Sequence, residues 1–165
     1  MFTGVHELSV DEKNRLSIPT GLRASMDPEK HGVHFYLAPG EREHTLELFP
    51  EKYYPKYVEK LHETLADSPE AADFELFFTA MSTLLEVDKQ GRILLPQHLL
   101  QFATIGRQVL LMGSRDRLVL ANREGGQSFV QDMWPKYRDM KQAAKRKAMS
   151  VEGTAPAQGG LGVRS

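Results

Sequence analysis

At 165 residues, with 41% hydrophobic and 26% charged side chains, the chain has the size and composition of one globular domain or of two small interlocked halves. Its 21 basic and 22 acidic residues leave a formal charge of -1 and a pI near 6.6, which argues against a uniformly basic nucleic-acid binder. There is no cysteine for a disulfide framework or thiolate metal site, no apolar run near the roughly 20 residues of a membrane span, and no signal-peptide pattern in the opening Met1–Glu7, so a cytoplasmic protein without membrane contact is expected.

The predicted elements begin with a strand over His6–Val10, with Leu8 and Val10 on one face. Asp11 then opens a turn, where its carboxylate can accept backbone N–H bonds. Asn14 is suited to a positive φ inside that turn. A second strand runs from Arg15 to Ile18, and Pro19 ends it and suits the first turn of a short helix reaching about Ser25. Val33–Leu37 reads as a buried strand, and Thr45–Leu48 as another beyond a polar loop. Pro50 is expected to begin a helical stretch, with Pro55 delaying or kinking it before Tyr57, Lys60, Leu61 and Leu65 take up helical spacing. In the following stretch Ala71, Phe74, Phe77, Phe78 and Met81 share an apolar face.

The pattern then restarts. Leu8, Val10, Asp11, Arg15, Pro19 and Leu22 have identical counterparts at Leu85, Val87, Asp88, Arg92, Pro96 and Leu99, all at an offset of 77 residues. Gly91 stands where Asn14 does, so both copies keep a residue that tolerates positive φ. The second short helix should reach about Phe102. Gln108–Met112 and Arg117–Leu120 match the buried strand and the strand after the loop, and Trp134–Tyr137 matches Tyr54–Tyr57 near a helix start. A last helix is expected from Arg123 to Lys147, with its course at Pro135 left open. Residues 150–165, rich in Gly, Ala, Pro and Gln, read as a disordered tail. The division expected is a first half over 1–76, a second over 77–149 and that tail.

With both Asp-x-x-x-Arg motifs in view, Asp11–Pro19 and Glu86–Pro96, the chain resembles the MraZ family of the wider AbrB-like swapped-hairpin group over roughly Met1 to Tyr137. The resemblance implies an α+β fold in which two AbrB-like swapped-hairpin half-motifs form an intrachain pseudo-dimer with flanking helices. It implies ring-shaped homo-oligomers on double-stranded promoter DNA. It also implies repression of a division and cell-wall gene cluster through short repeated sites, and so a nucleoid-associated protein. The chain departs from the family in having Asn14 where glycine is usual, a longer loop at Ala38–His44, and a basic C-terminal extension.

Arg15 and Arg92 are the leading DNA-binding candidates, since a guanidinium fork suits phosphates and guanine edges. The alternative is an Asp11–Arg15 or Asp88–Arg92 pair that merely closes the turn. Lys13, Lys89 and Arg23 are candidate phosphate contacts. Asp11, Asn14, Asp88 and Gly91 are read as structural turn residues, not as a catalytic carboxylate pair. No catalytic set, metal set or cofactor loop stands out, although His31 and His34 have a weakly metal-like spacing. From Lys136 to Lys147 six basic residues stand against Asp139 alone, either a solvated helix end or a source of non-specific DNA attraction. The competing function is a structural assembly module of the same fold with no DNA affinity of its own. The acidic stretch Glu51–Glu75 favours that alternative, and the two basic turns favour the regulator.

Overall fold

The computed structural model describes residues 1–153. The chain divides into two compact units, 1–127 and 128 onward. The first unit is mixed α+β. Its elements run β1 (Val5–Ser9), β2 (Arg15–Ser17), α1 (Thr20–Ala24), α2 (Pro28–His31), β3 (Phe35–Pro39), β4 (Thr45–Pro50), α3 (Tyr54–Thr64) and α4 (Pro69–Met81). They continue β5 (Thr83–Leu85), β6 (Arg92–Leu94), α5 (Gln97–Phe102), β7 (Gln108–Ser114), β8 (Arg117–Asn122) and the start of α6 (Arg123–Met133).

Six strands form one antiparallel sheet in the order β1-β7-β8-β4-β3-β5, and β2 and β6 form a separate two-stranded ribbon. Only β3–β4 and β7–β8 pair within one repeat. Every other pairing joins the two. The registers map onto themselves when the repeats are exchanged. Leu46 faces Leu120 and Leu48 faces Leu118 about a central Glu47–Val119 pair, while Arg15 faces Leu94 and Ser17 faces Arg92 about Leu16–Ile93. Leu8 faces Val109 as Leu85 faces Phe35. This fixes the match between β3 and β7 one residue away from the sequence expectation, since Phe35 corresponds to Val109 and not to Leu110. One slipped residue would turn every side chain to the opposite face, so the distinction has physical content.

The sheet buries both faces. On one, Phe35, Leu37, Leu46, Leu48, Val109, Leu111, Leu118 and Leu120 meet Leu16, Ile18, Ile93, Leu95 and Leu99 from the ribbon and α5. On the other, Ala38 and Phe49 pack with Tyr54 of α3 and Phe78 of α4, and Tyr36 stacks on Tyr54 with ring centroids 4.2 Å apart.

Three helical expectations change. Pro50 closes β4, where the ladder is completed by Glu51 N–H donating to the His34 carbonyl, and α3 starts at Tyr54. Pro55 lies in the first turn of α3, where its missing N–H costs no intrahelical bond and causes no kink. In α4 Phe78 is buried and Phe74 stacks on it with ring centroids 6.1 Å apart, but Phe74 and Phe77 remain exposed, so the expected apolar face is only partly packed.

The second unit contains the end of α6, a single 3-10 turn at Trp134–Lys136, and α7 (Tyr137–Gly153). Pro135, the open point in the expected Arg123–Lys147 helix, lies in that turn and divides the span in two. Trp134 lies a whole helix beyond β8, whereas Tyr54 follows β4 closely, so the two Pro-Lys-Tyr segments are not equivalent. The helix passes Lys147 and takes in the first residues of the expected tail. The remainder of that tail, 154–165, lies outside the described residues. Among the described residues no helix is long and apolar enough to cross a membrane.

Candidate nucleic-acid interface

Each Asp-x-x-x-Arg segment folds into the same closed turn. Asp11 Oδ1 accepts the N–H groups of Lys13 and Arg15, both at 2.9 Å, and its Oδ2 accepts Arg15 Nε at 2.8 Å. Asp88 Oδ1 accepts the N–H groups of Gln90 at 2.8 Å and Arg92 at 2.9 Å, and its Oδ2 accepts Arg92 Nε at 2.9 Å. Both carboxyls are held below the usual range, first by the backbone N–H of the paired arginine, against a smaller opposing effect of burial. Asn14 at φ 59° and Gly91 at φ 77° supply the left-handed residue in each turn. Each turn is thus closed by its aspartate around one left-handed residue.

The turns feed the β2–β6 ribbon. Leu16 and Ile93 point into the core, so Arg15, Ser17, Arg92 and Leu94 share the outer face. Ladder geometry puts the Cα atoms of Arg15 and Arg92 on the order of 8 Å apart on that face. Each ribbon end is tied to the opposite repeat's turn. Ile18 N–H donates to the Gly91 carbonyl at 2.9 Å, and Leu95 N–H donates to the Asn14 carbonyl at 2.8 Å. The two arginines are therefore fixed relative to each other by backbone bonds.

The turn-closing bond occupies only part of each guanidinium. Nε of each closes its turn, while the described bonds leave the two terminal nitrogens of each guanidinium uncommitted. Their side chains are 31% and 28% exposed. Lys13 and Lys89 are exposed on their turns.

Arg23 belongs spatially to the opposite turn. Its Nε donates to the Ile18 carbonyl at 3.1 Å, and its guanidinium lies across Gly91, where an added Cβ would stand 2.4 Å from Arg23 Cζ. Glycine at 91 thus serves both the positive φ and this close approach. The first turn has its own added cation, Arg107, whose Nη1 donates to the Asp11 carbonyl at 2.7 Å. Sequence reasoning missed Arg107. It sits far away in the chain, just before β7, and nothing in its local pattern marks it. Each turn therefore gathers three cations: Lys13, Arg15 and Arg107 at one, Lys89, Arg92 and Arg23 at the other.

His31 and His34 do not converge on a metal. Nδ1 of His31 accepts from Asp27 N–H and Nδ1 of His34 from Val87 N–H. Among the described residues no group of three or more potential ligands could hold an ion.

Two successive matches to one family model, described as MraZ protein, cover residues 1–77 and 78–149. A transcriptional regulator MraZ of Marinomonas sp. is 34% identical over 125 residues, which is 75% of this chain and 82% of that protein. The transcriptional regulator MraZ of Heliobacterium modesticaldum is 31% identical over 140 residues, 85% of this chain and 94% of that protein. That of Clostridium tetani is 31% identical over 139 residues, 84% of this chain and 88% of that protein.

Proposed function

This chain belongs to the MraZ family, whose named relatives are regulators and not enzymes, and we propose that it is a sequence-specific transcriptional regulator that binds double-stranded promoter DNA through the outer face of the β2–β6 ribbon and its two turns. The observation that carries this reading is the pair of symmetry-related arginines held by backbone bonds on an exposed ribbon. A two-stranded ribbon fits the major groove, and an arginine fork is the commonest reader of guanine there. Arg15 and Arg92 are assigned to bases. Lys13, Lys89 and Arg23 are assigned to phosphates, with Asp11, Asn14, Asp88 and Gly91 shaping the turns.

Our reading extends to architecture and biology. The repeats 1–76 and 77–149 act as swapped-hairpin halves of an intrachain pseudo-dimer, a reading supported by strand pairing that runs mainly between repeats. Protomers assemble into a ring, supported by the exposed Phe74, Leu76 and Phe77 on α4. The ring binds repeated promoter sites, represses the division and cell-wall cluster, and resides on the nucleoid.

The test compares wild type with Arg15→Ala on promoter fragments carrying one, two and three repeats, over a range of salt. Wild-type affinity should rise steeply with repeat number, because one bound site raises the effective concentration of the next turn. It should fall with salt as counterions are released. Each arginine–guanine pair lost costs about 1–3 kcal/mol, and a ring multiplies that loss. Equal binding by a folded Arg15→Ala protein would make Arg15 a turn residue only.

A further inference from the structure

The outer face of the ribbon carries four side chains, and the exchange of repeats that superposes its two arginines does not superpose the other two. Ser17 on β2 corresponds to Leu94 on β6. Directly across the ladder, Arg15 faces Leu94, and Arg92 faces Ser17. Cross-strand partners in such a ladder stand about 5 Å apart at Cβ, so each arginine acts beside its own neighbour. Leu94 is 61% exposed and sits at the rim of an open groove lined by Asn14, Leu84, Leu85, Val87 and Pro96. Its apolar surface is left facing outward between charged groups, at the one position on this face where the symmetry-related residue is polar.

Resting on the DNA-binding reading above, we propose that Leu94 is a specificity-determining residue that packs on the C5-methyl group of a thymine adjoining the base read by Arg15, whereas Ser17 gives the Arg92 half no such preference. In the major groove the thymine methyl is the apolar feature by which an aliphatic side chain distinguishes a base pair. A serine hydroxyl both donates and accepts, and so discriminates little among bases. One protein repeat then reads a guanine with a neighbouring thymine, and the other reads a guanine alone. The recognised DNA repeat is accordingly asymmetric, and the near-twofold protein binds it in one orientation.

The experiment measures binding of the full-length protein to promoter fragments in which each thymine in turn is replaced by deoxyuridine, removing only the methyl group. Wild type is expected to lose about fourfold in affinity at one thymine in each repeat, the fold-change that burying a single methyl supplies. Leu94→Ser is expected to bind with that sensitivity abolished. Ser17→Leu is expected to bind about fourfold more tightly than wild type to a fragment given a thymine beside the base read by Arg92, and to lose that gain when this thymine is replaced by deoxyuridine. Leu94 and Ser17 are both exposed, so the fold does not depend on either, and circular dichroism checks this. If wild type binds the promoter but no thymine is sensitive, or if the sensitivity survives in Leu94→Ser, the assignment of Leu94 fails while the DNA-binding reading stands. If wild type does not bind promoter DNA at all, both fail.

Discussion

Glu47 is the residue at which near-symmetry has the largest physical consequence. It occupies the centre of the β4–β8 ladder opposite Val119, its own counterpart in the other repeat. Only 5% of it is exposed, and its Oε2 has no hydrogen-bond partner. Arg117 Nη1 approaches that oxygen to 3.7 Å, but the Arg117 guanidinium is already engaged by Asp116 at 2.9 Å and lies over the rings of Phe49 and Tyr57. Hydrogen bonds from Arg117, Tyr53 and Arg115 outweigh burial at Asp116 and hold its carboxyl at about 2. At Glu47 burial outweighs the attraction of Arg117 and pushes the carboxyl from 4.5 up to about 7. Between those values the folded protein holds a proton that the unfolded chain has released, so stability falls as pH rises through the interval. Glu47→Gln removes this titration. Thermal melts of the variant should lose the downward slope between mildly acidic and neutral pH, with a gain over wild type above neutrality on the order of 3 kcal/mol. Parallel wild-type and variant profiles would mean that the carboxylate is adequately solvated where it stands.

At the scale of elements, α6 gives a test in two adjacent residues. Gly125 has open space around its missing Cβ, whereas a Cβ on Gly126 would meet Leu110 Cδ2 at 2.5 Å and Leu110 Cβ at 2.9 Å. Glycine inside a helix costs about 1 kcal/mol relative to alanine. Gly125→Ala should therefore raise the melting temperature. Gly126→Ala should lower it, because forcing α6 off β7 costs about 1–3 kcal/mol and outweighs the propensity gain. Two shifts of the same sign would show that α6 does not seat on Leu110 through Gly126. No sequence pattern distinguishes these two glycines, which marks the limit of local reading. What depended on local chemistry was legible: the Asx turns at Asp11 and Asp88, the positive φ shared by Asn14 and Gly91, the short helices after Pro19 and Pro96, and the strand order within each repeat. What depended on distant partners was not. Pro50 carries the same helix-starting signal whether it opens α3 or closes β4, and the ladder decides. The β3–β7 correspondence came out one residue off because both segments are apolar at nearly every position, so alternation could not fix their faces. Arg107 reaches its turn through pairing between repeats, and so does Arg23, which the sequence offers as a cation without showing which turn it joins. The extra helix α2 did have local signals, with Asp27 capping Glu29 N–H and Pro28 following, but it has no counterpart in the second repeat and so broke no pattern.

At the scale of the whole molecule, the pairing scheme determines what each half can do alone. Within 1–77 only β3–β4 survives as a native pair, and within 78–149 only β7–β8; β1, β2, β5 and β6 all lose their partners. A lone hairpin is at best marginally stable in water, so neither fragment is expected to fold as a monomer. Each can complete a sheet only by pairing with another chain, and the ladder register states what would then meet on the axis. Two copies of 78–149 bring Val119 against Val119, an apolar pair suited to the core. Two copies of 1–77 bring Glu47 against Glu47, two glutamates whose Cβ atoms stand about 5 Å apart in a buried position. Ionising both there costs several kcal/mol per charge. The expected result is that 78–149 self-associates into a folded dimer at neutral pH, while 1–77 stays unfolded above the pH at which Glu47 ionises. Mixing the fragments should restore the native sheet, with Glu47 opposite Val119 as in the intact chain. Glu47→Val in the first fragment should let it dimerise like the second. Circular dichroism and sedimentation read each case. A first fragment that forms a folded monomer, or that dimerises equally well at pH 8 with Glu47 intact, would show that pairing between repeats does not set the fold and that the axis tolerates two carboxylates.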